Sequence, residues 1–489
     1  MKNKKLLTIL LSVVLAIGLL PMSVFAATTV TTDSTASITV QNAVENDELA
    51  AYKVIDITYD DTKNALSYSW NSAFANYFAE YTVEQFAALS DNSDDLKDLL
   101  AQLPNYIAAN SIQPIDTATV ADNGEATFAD LAMGEYFIRP TSTTSVYQLM
   151  LQKIEPTVVD GTYVIDDATF TAKKKEVNVT KTADKTSVTK KEKVNYTITV
   201  DIPTYSNNAT DKSFYVSDLL PDGLTLETDS ITAKIDETDV DAGAYTLDNT
   251  ATGDYTFKLS VSTEQYAASW AGNGGKQLVI TYAATLNDGD TTEVNVKETN
   301  KVTYDYSNYP YVADSHNQKT AKVDVTTYAI KIDKYEAGDE TKKLAGAKFD
   351  LYRTATQEEI EAGKAVKIPH TEIQGIKLEG DKVTDDNGAA TFEKYEANGI
   401  KYDYYLVETK TLSGYNILDN AIQVNFTDSD VAETRGIYTV KVANSRGLTL
   451  PITGGMGTVI FSIFGIVLMT GAVVLFIMLR KKSKAKLSK

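Results

Sequence analysis

The chain reads as mostly β: three tandem immunoglobulin-like β-sandwich domains, the first with a helical insertion, followed by a C-terminal transmembrane helix. Three observations lead there. Val, Ile, Thr and Tyr, with 29 Tyr in all, recur in short alternating runs: VNYTITV at 194–200, QLVITYAAT at 277–285, YDYYLVET at 402–409 and IYTVKV at 437–442. Asp-Gly, Asn-Gly and Asp-Asn-Gly turns punctuate them, and short strands with one buried face between such turns build sandwiches. The chain is 489 residues long, and at roughly 100 to 200 residues per domain its central part holds about three.

The elements follow in order. Lys2, Lys4 and Lys5, an apolar run over 6–20 and Val24-Phe25-Ala26 before Ala27 have the three parts of a secretory signal peptide over 1–26. In the first domain, 27–172, the stretch 83–109 departs from the strand pattern. Its Phe86, Leu89, Leu96, Leu99, Leu100 and Leu103 fit a helical spacing interrupted near 90–93. The strand pattern restarts after Lys173-Lys174-Lys175 and again after Val325-Thr326-Thr327, which sets the second domain at 173–327 and the third at 328–447. The similar openings suggest a loose internal repeat. A stalk over 448–454 leads to the membrane helix and tail at 455–489.

Composition excludes several functions. The chain has no Cys, so disulfides, thiolate metal sites and a cysteine nucleophile are ruled out, and its two His, His316 and His370, lie too far apart in sequence to suggest a metal site or a histidine triad. No metal and no cofactor is expected. A formal charge of -20 repels phosphate, so nucleic acid is not an expected partner. Asp385-Asp386 and Glu358-Glu359 read as turn and solvated-face charges, and no clustered enzyme constellation stands out.

At the C-terminal end, 456–479 carries no charge and is long enough as a helix to cross a hydrocarbon core of about 30 Å. Arg480, Lys481, Lys482, Lys484, Lys486 and Lys489 follow, as the positive-inside rule requires of a cytoplasmic tail. Immediately before the span stands Leu450-Pro451-Ile452-Thr453-Gly454. Pentapeptide, apolar helix and basic tail in that order resemble the wall-sorting signal of Gram-positive surface proteins. The resemblance implies that a sortase cysteine attacks the Thr453 carbonyl, releases everything from Gly454 onward and holds a thioester until an amine displaces it. The mature protein would then be joined to peptidoglycan at the cell surface.

Strand parity locates misplaced polar groups. Side chains of one parity share a face, and Ile330, Ile332 and Lys334 do so, as do Tyr404, Leu406 and Glu408, and Tyr438, Val440, Val442 and Asn444. Three apolar rows therefore end in a polar group. A lysine at a strand end is usually solvated, but a buried Lys, Glu or Asn left alone costs several kcal/mol unless the groups meet or lose charge. If they meet, desolvation favours a neutral amine beside a carboxylic acid. The acid can then polarise the Asn444 carboxamide while the Lys334 amine attacks it, yielding an amide and ammonia. Lys331 has the opposite parity and is rejected.

The segments Leu344-Ala345-Gly346-Ala347-Lys348-Phe349-Asp350-Leu351-Tyr352 and Tyr405-Leu406-Val407-Glu408-Thr409 resemble the repeat domains of sortase-assembled pilins, which are related to the B-type domain of collagen adhesins. That resemblance implies an intramolecular isopeptide bond between Lys334 and Asn444, promoted by Glu408. In the second domain Val177, Val179 and Lys181 share parity, as do Phe214, Val216 and Asp218, and Val296, Asn300, Val302 and Tyr304. This arrangement resembles the A-type pilin domain and implies a Lys181–Asn300 bond promoted by Asp218. The alternative for Asp218 is a hydrogen bond to the Leu-Pro-Asp-Gly-Leu turn after it. In the first domain Lys53 shares a face with Ala51, Ile55 and Ile57, but 164–171 holds no matching Asn; a third bond, to Asp166 or Asp167, stays open beside the reading of a snorkelling lysine.

Backbone subunits of that family carry, between their first two domains, a lysine that resolves the thioester of the next subunit. Here the boundary offers Lys173, Lys174 and Lys175, with Lys175 nearest the next strand, although the Tyr-Pro-Lys form common in the family is missing. As an exposed linker, three lysines need no further explanation. The partners implied are sortase enzymes, neighbouring pilin subunits, peptidoglycan and, by analogy, a host or matrix receptor. The other reading is a monomeric wall-anchored adhesin.

Overall fold

The computed structural model describes residues 28–89, 93–287, 297–396, 402–431, 434, 436–447 and 457–485. The signal segment and the 450–454 pentapeptide lie outside them. The chain divides into two compact units, with the division at Thr326/Thr327.

In the first unit, strand β1 (Thr35–Gln41) pairs antiparallel with Ala126–Ala132 and in parallel with Ala168–Thr171. Strand β2 (Glu48–Asp60) is the spine of a second sheet. The helical insertion is built as its spacing suggests. Helix α1 (Val83–Ala87) is closed by a capping box between Thr82 and Gln85, and α2 (Asp94–Ala109) by Ser93, whose side chain accepts from Leu96 N at 3.2 Å. Phe86, Leu96, Leu100, Leu103 and Ile107 are buried, while Leu89 and Leu99 are partly buried. Strand β3 (Gly134–Ser142) lies against β2. The two-residue strands β4 (Val146–Tyr147) and β5 (Lys174–Lys175) form a ribbon of their own.

The same unit continues into a sandwich. One sheet contains β6 (Val179–Ala183), β7 (Lys193–Asp201) and a later strand, β9 (Gln277–Leu286), paired in that order. The other contains β8 (Phe214–Leu219), β10 (Lys297–Ser307) and β11 (His316–Thr326). Both stretches of this unit share one apolar core running from Val30 to Val325. Polar ties cross between them too: Tyr306 Oη donates to Thr144 O at 2.6 Å and Asn308 Nδ2 to Thr143 O at 2.7 Å.

The second unit is a smaller sandwich. Its opening strand β12 (Tyr328–Glu336) lies between β14 (Ala389–Tyr395), antiparallel, and the closing strand β16 (Ile437–Asn444), parallel. The facing sheet pairs β13 (Lys348–Thr354) with β15 (Tyr404–Lys410). Ile330, Ile332, Phe349, Leu351, Phe392, Tyr404, Leu406 and Val442 fill the space between the sheets. Helix α3 (Gly457–Ala485) contains a 20-residue window, Phe461–Arg480, of mean hydropathy 2.6, long enough to cross a membrane.

Candidate cross-linking sites

In the second unit, Lys334, Glu408 and Asn444 meet. Lys334 follows the apolar row of β12 inward, and its side chain and that of Glu408 are fully buried. In the parallel β12–β16 register Lys334 stands opposite Val442, so Asn444, two residues on, shares its face one step along. The lysine stem spans that step, and Nζ donates to Asn444 Oδ1. Glu408 reaches in from the facing sheet. Its Oε1 lies 3.3 Å from Lys334 Nζ, and its two carboxylate oxygens accept from Asn444 Nδ2 at 2.9 and 3.0 Å. Burial pushes the Lys334 amine below its ordinary range against the opposing pull of Glu408. An amine held against a carboxamide that is itself gripped by a carboxyl group is the arrangement that amide exchange needs.

Two further groups complete this site. Thr411 Oγ1 accepts from Asn444 Nδ2 at 2.6 Å, and Leu418 N donates to Glu408 Oε2 at 2.9 Å. Both come from the segment after β15, where no strand parity applies, so sequence periodicity carries no signal for them.

The first unit assembles a second site. Lys181 on β6 and Asp218 on β8 form a buried ion pair, both side chains fully shielded, and Asn300 on β10 is buried beside them. Burial drives the Lys181 amine down and the Asp218 carboxyl up, each opposed by its partner. The alternative role of Asp218 as a turn cap is not what the geometry gives: its carboxylate faces inward to Lys181 and Tyr282, while its backbone O takes Thr256 N.

The hub of this second site is Tyr282, whose place in an apolar row hides it from strand parity. Its Oη accepts from Lys181 Nζ at 2.6 Å and from Asn300 Nδ2 at 2.7 Å, and donates to Asp218 Oδ1 at 2.7 Å. Stacking on Tyr196, with centroids 5.2 Å apart, and an edge contact with Phe257 at 5.0 Å hold the ring. A signal existed. Leu278, Ile280, Tyr282 and Ala284 share one buried face of β9, and a tyrosine on such a face needs a partner for its hydroxyl.

The remaining candidates are placed as follows. Lys53 pairs with Asp56 at 2.9 Å, and Asp167 is occupied by Ser37 N at 2.7 Å, so neither Asp166 nor Asp167 is brought to Lys53 by any described contact. Lys174 is largely covered and lies 3.2 Å from Glu176, whereas Lys173 and Lys175 are exposed. Leu450, Pro451, Ile452, Thr453 and Gly454 lie outside the described residues.

Comparison with known proteins agrees with this architecture. Residues 328–439 match the SpaA family, described as a prealbumin-like fold domain. The trypsin-resistant surface T6 protein of Streptococcus pyogenes serotype M6 is 23% identical over 346 residues, 58% of this chain and 63% of the relative, so the match spans under two thirds of that relative's length. The solved T6 backbone pilin of that serotype, a modular three-domain structure, superposes with a TM-score of 0.59 at 19% identity, covering 82% of this chain and 81% of the other. The full-length major pilin SpaD of Corynebacterium diphtheriae gives 0.54 at 18% identity, covering 86% and 99%. The major pilin SpaA of that organism, whose structure points to a modular pilus assembly with stabilizing isopeptide bonds, gives 0.52 at 18%, covering 84% and 100%. The chain therefore has the fold of these backbone and major pilins, and residues 328–439 of its second unit match the prealbumin-like fold domain.

Proposed function

We propose that this chain is a structural, non-enzymatic subunit of a sortase-polymerised pilus, attached to peptidoglycan on the cell surface and stabilised by two self-formed isopeptide bonds, Lys334–Asn444 and Lys181–Asn300. The observation that carries the reading is the burial of Lys334, Glu408 and Asn444 in mutual contact, from the opening strand, the facing sheet and the closing strand of one sandwich. Fully buried charges are costly, and their retention here is accounted for if they react. A tie closing a loop of about 110 residues restricts the unfolded chain as a disulfide would, a stabilisation of about 4 to 5 kcal/mol in the entropy model. Because the tie joins the first and last strands, tension entering at either end of the domain passes through it before it can peel the strands apart.

Polymerisation is proposed through Thr453 of one subunit and a lysine of the next. Lys173 and Lys175 are the accessible choices, and Lys175, in the short ribbon with Val146, is preferred. The exposed apolar helix α3 suits a temporary membrane stop before transfer.

The test is the intact mass of residues 27–453, followed by tandem mass spectrometry of the branched peptides. The expected result is a deficit of two ammonia molecules, mapped to the two named pairs; full mass in a folded sample rejects the cross-links. Wall extracts separate polymer from monomer: a high-mass ladder that Lys175→Ala abolishes supports the fibre, and a single band supports a monomeric surface protein.

A further inference from the structure

We propose that Tyr282 is a catalytic residue of the Lys181–Asn300 reaction, carrying the proton from Asp218 to the departing nitrogen of Asn300. The inference rests on the cross-linking reading above and deepens it. In the second unit the acid grips the amide directly, with Glu408 on Asn444 Nδ2 at 2.9 and 3.0 Å. In the first unit, among the described residues, Asp218 and Asn300 are joined through the Tyr282 hydroxyl, with 2.7 Å on either side. An aspartate is one methylene shorter than a glutamate, and the phenol supplies the missing reach. The Tyr282 hydroxyl is also the only described group that hydrogen-bonds to the nucleophile, the acid and the amide at once.

The two oxygens of Asp218 divide the work. Oδ2 faces Lys181 Nζ and Oδ1 faces Tyr282 Oη. The neutral Lys181 amine attacks Asn300 Cγ; the Nζ–Cγ bond forms and the carbonyl π pair moves to Oδ1 of Asn300. With Nδ2 tetrahedral and bearing a lone pair, the Tyr282 hydroxyl turns its hydrogen from Asp218 Oδ1 to Nδ2; Asp218, with the acid's proton on Oδ1, then gives that proton to Tyr282 Oη as Tyr282 passes its own to Nδ2. The Cγ–Nδ2 bond breaks, ammonia leaves with the bonding pair, and the carbonyl re-forms. Nζ, positively charged after attack, returns a proton to Oδ2 of Asp218. One proton has moved from Nζ to Nδ2, the acid is regenerated, and no co-reactant is consumed.

The experiment refolds residues 27–453 from denaturant and follows ammonia loss at each pair by quenched intact and tandem mass spectrometry. In Tyr282→Phe, which keeps the ring and its stacking, the Lys334–Asn444 bond should form at the unaltered rate and the Lys181–Asn300 bond at least about a hundredfold more slowly, the usual scale for loss of a proton-transfer group. Equal rates at the Lys181–Asn300 pair with and without the hydroxyl overturn the proposal. Protease resistance of the first unit, compared with Lys181→Ala, reports whether Tyr282→Phe has folded. If it has not, a ring-fluorinated tyrosine placed at 282 keeps every hydrogen bond while changing phenol acidity. A changed rate and pH profile confined to the Lys181–Asn300 pair supports the relay, and an unchanged one rejects it. Should the unsubstituted chain release no ammonia, the cross-linking reading itself fails and the relay falls with it. That result is distinct from a Tyr282→Phe chain that forms both bonds normally.

Discussion

The two candidate sites each combine a lysine, a carboxylic acid and an asparagine, in opposite arrangements. In the second unit the lysine and the asparagine sit on neighbouring parallel strands of one sheet and the acid comes from the facing sheet. In the first unit the acid and the asparagine sit on neighbouring antiparallel strands, with Asp218 opposite Val302, and the lysine comes from the other sheet. One tie would therefore fasten two strands side by side, and the other would fasten two sheets face to face. Where the acid shares the amide's sheet its short side chain lies alongside the amide, and a tyrosine fills the gap. An acid facing the amide across the core needs no intermediary.

The largest expected effect tests what each tie holds. Lys334→Ala removes a constraint of about 4 to 5 kcal/mol, so the second unit should melt lower by roughly 20 °C in calorimetry. Ammonia loss at Lys181–Asn300 should continue. A fall of only a few degrees would mean that ladder hydrogen bonds, not the tie, secure β16 against β12.

The difference in reach predicts unequal tolerance of the acids. Glu408→Asp, one methylene shorter and with no phenol described in contact with it, should slow the Lys334–Asn444 bond at least about a hundredfold in the refolding assay. If Glu408→Asp forms the bond at full rate, the account of reach is wrong. A smaller effect is expected at Thr411. Thr411→Val removes one neutral hydrogen bond from Asn444 Nδ2, worth about 1 kcal/mol, and should slow the reaction by roughly tenfold or less while leaving it complete.

The smallest effect concerns pH and belongs to the first unit. His316 lies between Asp305, 2.5 Å from Nδ1, and Asp211, 3.0 Å from Nε2. Burial works against its charge, yet the two carboxylates outweigh burial and push its pKa up from 6.5 to about 9. A group whose pKa rises on folding stabilises most when it is protonated in both states. Its contribution is therefore complete below pH 6.5 and is lost as pH rises through about 9. The melting temperature of the first unit should fall by a few degrees across that window, and His316→Gln should flatten the fall. The second unit, whose His370 has no described carboxylate partner, is the internal control. Equal alkaline slopes in both units would contradict the assignment.

Much of this was legible in the chain. Lys334, Glu408 and Asn444, and likewise Lys181, Asp218 and Asn300, each continue an apolar row of one parity. Burial of a strand face leaves such groups nowhere to go but toward one another. Tyr282 escaped notice for the opposite reason: tyrosine is at home in an apolar row, and only its hydroxyl marks it as out of place. Thr411 and Leu418 N escaped because they lie beyond the strand, where no period relates position to direction.

Alternation along each strand thus decided which side chains face inward, because that period is a local property of the extended backbone. An uncharged run long enough to cross a membrane set the apolar helix, and turn-bounded alternating runs set the class of the fold. Which strands become neighbours, whether they run parallel, and which sheet presents the acid depend on contacts between residues far apart in the chain. Local periodicity carries no record of those pairings. Only the packed sandwich decided that Glu408 touches its amide while Asp218 works through Tyr282.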